Sequence, residues 1–183
     1  MLTYNTAHRY ATELKNRLSP FVKKAEIAGS IRRRKPQGIK DIEIVCIPEE
    51  IQVIGDLFSQ KTVRVPGFIN WVNQWNRIKG DPEEGKYCQR EIIPGVILDL
   101  FIADEDNFGW QYLLRTGPSE FNINIILPRL KDRGVLSVDG YLTRDGERIP
   151  VSREEEVFAL AEMDFIPAHI RPLRKYCLNN KIV

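Results

Sequence analysis

Residues 28–45 read AGSIRRRKPQGIKDIEIV and combine a small-residue turn, a run of cations and two acids in one short segment. Gly29 allows the backbone to bend and to approach a ligand closely, and Ser30 supplies a hydroxyl where a short helix can begin. Four consecutive cations follow at positions 32–35. Because helix-start amides and guanidinium groups both bind phosphate oxygens, this segment predicts a phosphate-binding turn.

Two carboxylates follow in Asp41-Ile42-Glu43-Ile44-Val45, which alternates polar and apolar residues as a strand does. On a strand, Asp41 and Glu43 project from the same face. Two ionised carboxylates about 4 Å apart repel by roughly 4 kcal/mol at an effective dielectric constant of about 20, so a site that keeps both ionised needs a cation between them. Carboxylate oxygens suit Mg²⁺ or Mn²⁺. The alternative is a solvated strand face beside a basic loop, and the pair alone does not distinguish the two.

A third acid, Asp99, interrupts the apolar run at positions 96–102. An unpaired acid in a buried strand is costly. Two interpretations follow: a salt-bridged acid, or a third metal ligand. The presence of two further acids, Asp41 and Glu43, on another predicted strand favours the interpretation of Asp99 as a metal ligand.

This combination resembles the signature of the polymerase beta-like nucleotidyltransferases and, in particular, the X family of DNA polymerases. The resemblance covers almost the whole chain, from the helix before Gly29 to near Arg171. Its later motifs follow in order: Leu114-Arg115-Thr116-Gly117 is similar to the family's Thr-Gly nucleotide-binding turn, Ser119-Glu120-Phe121-Asn122 to its Phe-Asn element, and Pro150-Val151-Ser152 with Glu155-Glu156-Val157-Phe158 to its closing motif.

The resemblance implies an α+β fold. Residues 1–104 would form a polymerase beta-like nucleotidyltransferase palm, a mixed sheet flanked by helices, and residues 105–183 a small C-terminal α/β thumb. The activity it implies is that of a DNA-directed DNA polymerase. Such an enzyme adds nucleotides from a nucleoside triphosphate to a primer 3′-hydroxyl by two-metal nucleotidyl transfer, with release of pyrophosphate.

The family's functional residues carry over position by position. Asp41, Glu43 and Asp99 match the catalytic carboxylates that hold Mg²⁺ or Mn²⁺. Apart from this carry-over, Arg32 in the basic run and Lys79 and Lys86 at the ends of a predicted loop are assigned to DNA. Because three acids separate the two lysines, the alternative is that the lysines form only solvated ion pairs. The nucleotide-binding positions are Gly29, Ser30, Arg33, Thr116, Gly117 and Asn122.

The sequence departs from the family pattern in several places. Glu43 replaces the commoner Asp, so we expect looser metal geometry. Leu114-Arg115 stands where the family has an aromatic pair, which leaves the choice of sugar open. Ile97 stands where the family has an arginine, so we expect slow chemistry. No match to the family's lyase domain or helix-hairpin-helix segments is found, so we expect weak or absent anchoring at gap ends.

The composition of the chain restricts which other classes of protein it can belong to. The 183 residues carry a net charge of +2, so DNA binding would depend on clustered cations. Three scattered cysteines and two histidines argue against a zinc site and favour reduced thiols. No apolar run approaches the roughly 20 residues of a membrane span. We expect a cytoplasmic monomer without membrane contact.

Periodicity and turn residues predict the local structure. A pair of tryptophans, Trp71 and Trp75, lies on one face of a predicted helix, either as core or as a base-stacking surface. The predicted elements are helices at 6–18 (capped by Thr6), 48–58, 67–78, 108–114 and 119–132, a strand at 24–28, a loop between strands at 79–86, a hairpin at 142–149 with an Asp145-Gly146 turn, and a capping box at 152–155.

Three hypotheses for function remain. The first is the X-family type DNA polymerase described above. The second is a nucleotidyltransferase that modifies a small molecule or a protein, which fold alone does not exclude; the match through the C-terminal lobe favours the first. The third is a catalytically inactive nucleic-acid-binding module, whose DNA binding would survive chelation of metals and loss of Asp99.

Overall fold

The computed structural model of the protein describes residues 1–54 and 59–171, and the chain divides into two compact units. Unit 1 comprises Met1–Ile27 and Pro36–Asp104. Unit 2 comprises Ala28–Lys35 and the chain from Glu105 onwards. The basic turn, which is residues Ala28–Lys35, therefore belongs to unit 2, although the strands before and after it in the sequence belong to unit 1.

Strands are concentrated in the first two thirds of the chain, and the helices at 108–132 follow one another before the last three strands. Within residues 1–54 and 59–171, irregular turns are found at Ser19–Phe21 and Ala168–Ile170 (3₁₀) and at Asn122–Ile126 (π-helical). The helices are α1 (Tyr4–Leu18), α2 (Gly29–Arg32), α3 (Pro66–Asn73), α4 (Phe108–Thr116), α5 (Ser119–Phe121), α6 (Leu127–Asp132) and α7 (Glu154–Leu160). The strands are β1 (Val22–Ile27), β2 (Asp41–Pro48), β3 (Glu50–Ile54), β4 (Gln60–Arg64), β5 (Asn76–Lys79), β6 (Tyr87–Ile93), β7 (Val96–Ile102), β8 (Val135–Val138), β9 (Tyr141–Arg144) and β10 (Glu147–Ile149).

Unit 1 is built on a five-stranded sheet in the order β1-β2-β7-β6-β5. The central pair, β2 and β7, is parallel, and the other pairs are antiparallel. Strands β3 and β4 form a separate antiparallel hairpin. The mixed sheet with its flanking helices confirms the α+β class.

One face of this sheet is a hydrophobic core. The inward residues of the two central strands are fully buried, namely Ile42, Ile44, Leu98 and Leu100. Helix α1 packs against β1 and β2, and its buried residues recur at helical spacing: Ala7, Ala11, Leu14 and Leu18. Burying one Ile or Leu side chain contributes about 1.5–3 kcal/mol, so this face accounts for much of the stability of unit 1.

A buried arginine of β6 forms hydrogen bonds with α3 and with the neighbouring edge strand, β5. Arg90 in β6 is 0% exposed, and its guanidinium donates to the carbonyl oxygens of Val72 at 3.2 Å and Lys79 at 2.8 Å. It also donates to Oδ1 of Asn73 at 3.2 Å. Burial lowers the pKa of Arg90. Because carbonyl dipoles surround the cation, its desolvation is compensated by hydrogen bonds to backbone and side-chain carbonyls.

Unit 2 has its own core beneath a three-stranded sheet in the order β10-β9-β8. Asp145 and Gly146, at φ 54° and 85°, form the turn between β9 and β10, which confirms the predicted hairpin. The core consists of buried side chains from α4 to the segment after α7, namely Trp110, Leu113, Phe121, Ile126, Leu130, Val135, Leu142, Val151, Val157, Phe158, Ala161 and Ile166.

Two helix predictions in unit 1 were wrong in extent or type. The predicted helix at 48–58 contains strand β3, because Glu50–Ile54 is rich in β-branched residues and pairs with β4; residues 55–58 lie outside the described part of the chain. The predicted helix at 67–78 ends at Asn73, and Asn76–Lys79 forms the edge strand β5. Trp71 is buried and lies edge-on to Trp75, with ring centroids 4.6 Å apart, which favours a packing role.

The predicted caps are displaced by one or a few residues. The cap of α1 is Thr3, whose Oγ1 accepts from the amide of Thr6 at 3.4 Å. In the capping box of α7 the acid is Glu156, which accepts from the amides of Ser152 and Arg153 at 2.7 and 3.1 Å. The predicted helix at 119–132 is interrupted by the π-helical turn, followed by α6 with Pro128 in its first turn, where a missing amide hydrogen is tolerated.

Two further predictions concern membrane-spanning helices and the state of the cysteines. None of the described helices has both the length and the hydrophobicity to cross a membrane. Cys46 and Cys88 are free and buried, and burial raises the pKa of both thiols. Cys177 lies outside the described residues.

Candidate functional site

The three predicted metal-binding acids lie on one face of the sheet in unit 1. In the parallel pairing of β2 with β7, Glu43 is the direct partner of Asp99. Paired residues on neighbouring strands face the same side, and Asp41 lies two residues before Glu43 on the same strand. Neighbouring strands are about 4.8 Å apart, so the three acids occupy neighbouring backbone positions on the face opposite the hydrophobic core.

Asp99 is held by two hydrogen bonds from β6. The Tyr87 hydroxyl donates to Oδ1 of Asp99 at 2.7 Å, and Nε2 of Gln89 donates to the same oxygen at 2.9 Å. Asp99 is only 8% exposed. Both donors are neutral groups of the neighbouring strand, and their hydrogen bonds compensate the burial of this carboxyl group.

The side chains of the three acids are not arranged as a preformed metal site. Within residues 1–54 and 59–171, no group of three or more His, Cys, Asp or Glu side chains is gathered closely enough to hold a metal ion. The strand register places the three acids together on one face, and the metal site stays a prediction.

The predicted DNA-binding lysines lie at the two ends of the loop between β5 and β6. Both are exposed, and the Lys79 ammonium is 5.8 Å from the ring centroid of Tyr87. Glu84 within the loop pairs with Lys61 of β4 at 3.2 Å. The predicted loop is confirmed, while DNA contact by Lys79 and Lys86 stays a prediction.

In unit 2 the basic turn meets the Thr116-Gly117 turn. Helix α2 begins at Gly29 with φ 61°, and Ser30 is buried. The Arg33 guanidinium donates to the carbonyl oxygen of Thr116. Its Nη1 would lie 3.2 Å from a Cβ at Gly117, which has φ 65°. Glycine therefore suits this position on both steric and backbone grounds, and the structure brings together three of the predicted nucleotide-binding residues, Arg33, Thr116 and Gly117.

Arg32 lies in an internal charge network that the sequence did not predict. Its guanidinium donates to Oε1 and Oε2 of Glu154 at 3.0 and 2.5 Å and to Oγ1 of Thr116 at 2.7 Å. The guanidinium also lies 3.8 Å from the ring centroid of Tyr112. This engagement gives Arg32 a structural role in the basic turn, and its contact with DNA stays a prediction.

A second arginine meets the same acid. Arg171 is 5% exposed and lies 2.7 Å from Oε1 of Glu154 in an ion pair. It also donates to the carbonyl oxygens of Ile166 and Gly117 at 3.1 and 3.3 Å. Burial lowers the pKa of Arg171, and the Glu154 carboxylate opposes that shift. Arg171 thereby joins the end of the described chain to the Thr116-Gly117 turn.

Asn122, the last predicted nucleotide-binding residue, lies at the start of the π-helical turn and is 4% exposed. Its Nδ2 donates to the carbonyl oxygen of Leu114 at 3.1 Å. Within the described part of the chain its Oδ1 has no hydrogen-bond partner. A buried acceptor without a partner is costly, so Asn122 is a candidate ligand contact.

The two groups of candidate residues belong to different units. The three acids and the two lysines are in unit 1, and the remaining predicted residues are in unit 2. Comparisons of the chain with protein-family models and with curated proteins give no match.

Proposed function

We propose that the protein is a polymerase beta-like nucleotidyltransferase that acts as a DNA-directed DNA polymerase of the X-family type. The observation that supports this best is the pairing of Glu43 with Asp99 across β2 and β7, with Asp41 on the same face. Three neighbouring carboxylates repel one another, and a divalent cation bound between them would offset that repulsion. Phosphoryl transfer depends on such fixed charges.

Asp41, Glu43 and Asp99 would hold Mg²⁺ or Mn²⁺. The chemistry of the donors fits these hard cations, because each donor is a carboxylate oxygen. When bound, the cations would polarise the phosphoryl oxygens and lower the pKa of the attacking hydroxyl. The protein contributes the strands, which fix the three carboxylates at neighbouring positions, and the Tyr87 and Gln89 donors, which hold Asp99.

The nucleoside triphosphate would bind in unit 2, at Gly29, Ser30, Arg33, Thr116, Gly117 and Asn122. Arg33 is restrained by its hydrogen bond to the Thr116 carbonyl. A guanidinium carries N–H donors in a planar fork that matches the oxygens of a phosphate. Asn122 supplies a buried Oδ1 that a donor on the nucleotide would satisfy.

DNA primer and template would meet the exposed Lys79 and Lys86, whose ammonium groups suit phosphate oxygens. Arg32 would contribute to DNA binding through the positive potential of the basic turn, since its guanidinium is engaged by Glu154. The protein would act as a cytoplasmic monomer.

Extension of a labelled primer tests this function. We expect the wild-type protein to extend the primer with Mg²⁺ or Mn²⁺ and the Asp99→Asn variant to lose extension. Asp132→Asn, at the exposed end of α6, is the matched control and should extend like the wild type. Reactions with and without template, and with each type of nucleotide, report template use and sugar choice.

Other results would support the competing functions. Nucleotide transfer to a small molecule or a protein, without primer extension, would indicate the second hypothesis. DNA binding that persists with EDTA and in Asp99→Asn, without transfer of any nucleotide, would indicate an inactive nucleic-acid-binding module.

A further inference from the structure

We propose that Tyr87 and Gln89 are positioning residues that orient the Asp99 carboxylate toward a divalent cation. This inference rests on the proposed function, because it assigns a role within the same site. Both residues are on β6, the strand next to Asp99 on the side away from Glu43. They would act through Asp99 and would not touch the metal.

The orientation follows from both donors meeting one oxygen. Tyr87 and Gln89 donate to Oδ1 of Asp99, at 2.7 and 2.9 Å. Rotation of an aspartate carboxylate about its last torsion is broad and weakly restrained when the group is unbound. Two hydrogen bonds to the same atom stop this rotation, and they leave Oδ2 as the oxygen that we assign to the cation.

The two donors are themselves fixed by the sheet. Gln89 is paired with Asp99 on one side and with Lys79 on the other, so its backbone is held between β7 and β5. The Tyr87 ring stacks on Phe101, with centroids 5.0 Å apart and an interplanar angle of 24°. Donors that are already ordered lose little conformational entropy when they orient a ligand.

The neutrality of the donors matters for a metal ligand. A cationic partner would offset the charge of Asp99 and compete with the metal for it. A hydroxyl and an amide fix the carboxyl group and bring no positive charge that would compete with the cation. Outer hydrogen bonds of this kind typically change metal affinity or activity by about 10–100-fold when they are removed.

The experiment compares Tyr87→Phe, Gln89→Met and the double variant with the wild type. Tyr87→Phe keeps the ring that stacks on Phe101 and removes only the hydroxyl, and Gln89→Met keeps the length of the side chain. Tyr10→Phe in α1 is the matched control for loss of a hydroxyl in unit 1. Electron paramagnetic resonance of free Mn²⁺, with protein and Mn²⁺ alone, measures the metal affinity without reference to activity. Thermal unfolding identifies any variant that does not fold, and the other single variant then decides.

We expect each single variant to weaken Mn²⁺ binding about 10-fold and to lower kcat by a similar factor, with KM for the nucleotide unchanged. The double variant should lose less than the product of the two single losses, because both donors act on one oxygen. Unchanged Mn²⁺ affinity and unchanged kcat in folded Tyr87→Phe and Gln89→Met, with activity lost in Asp99→Asn, would overturn the positioning role and leave the proposed function standing. A wild-type protein that neither binds Mn²⁺ nor transfers nucleotides would overturn both.

Discussion

Glu154, the first residue of α7, accepts hydrogen bonds from Nη1 and Nη2 of Arg32, at 3.0 and 2.5 Å. The two residues are 122 positions apart in the chain. Arg171 lies 2.7 Å from the same carboxylate. The Glu154 side chain is only 2% exposed, so one buried negative charge is shared by two cations. This acid therefore links the basic turn, α7 and the end of the described chain within unit 2.

Removing that charge should destabilise unit 2. Glu154→Gln keeps the shape of the side chain but leaves two arginines without a counter-charge. Breaking a buried ion pair by loss of one partner typically costs about 3–5 kcal/mol. We expect the free energy of unfolding of the variant to fall by about that amount, as measured by urea denaturation with tryptophan fluorescence.

An exposed acid in the same unit provides the control. Glu162 pairs with Arg133 at 2.6 Å, but its side chain is 72% exposed. Glu162→Gln should leave the denaturation midpoint unchanged, because exposed ion pairs contribute little to stability. Equal losses in the two variants would contradict the role we give to the buried network.

The rate of primer extension should depend more on the negative charge of Glu43 than on the length of its side chain. Glu43→Gln keeps the length and removes the charge, so primer extension should fall on the order of 100-fold or more, corresponding to several kcal/mol of lost charge stabilisation. Glu43→Asp keeps the charge and should retain activity within about 10-fold of the wild type. The readout is kcat at saturating Mg²⁺, with Glu13→Gln in α1 as the control. Full activity in Glu43→Gln would remove this residue from the metal site.

Arg33 should act on nucleotide binding. Hydrogen bonds between a charged group and its partner contribute about 1.5–3 kcal/mol, so Arg33→Ala should raise KM for the nucleotide roughly 10–100-fold. Arg33→Lys should have an intermediate effect, because it keeps the charge but not the forked geometry. Arg148→Ala, which removes a guanidinium stacked on Tyr141, is the control within unit 2. A KM unchanged by Arg33→Ala would contradict its place in the triphosphate site.

The features that depend on local periodicity were predictable from the sequence. The apolar residues of α1 recur at helical spacing, and the alternation in β2 places Asp41 and Glu43 on one face. Strand β3 was mistaken for a helix, because a short apolar segment shows little periodicity and its pairing with β4 is a tertiary feature.

The partners of the site residues were not predictable. Tyr87 and Gln89 meet Asp99 only because β6 pairs with β7 in a register that includes an irregularity between Glu91 and Ile93. A one-residue slip would turn both side chains to the other face. The ion pair of Arg32 with Glu154 was missed for a similar reason, since acids at the start of a helix usually face solvent and no local pattern marks a contact across 122 residues.

The capping box of α7 should give the protein a pH-dependent stability. Burial acts to raise the pKa of Glu156, but hydrogen bonds from the backbone amides of Arg153 and Ser152 and from the Arg153 guanidinium outweigh it, so the pKa lies below its usual value of 4.5. A carboxyl whose pKa is lower in the folded state stabilises the protein above its unfolded-state pKa. That stabilisation is lost as the pH falls through the folded-state pKa.

We expect Glu156→Gln to lower the free energy of unfolding by about 1 kcal/mol at pH 7 and the difference from the wild type to disappear well below pH 4.5. Urea denaturation across this pH range measures the effect, with the exposed neighbour Glu155→Gln as the control. A difference that stays constant down to pH 2 would show that Glu156 does not act through its charge, because the acid is fully protonated there.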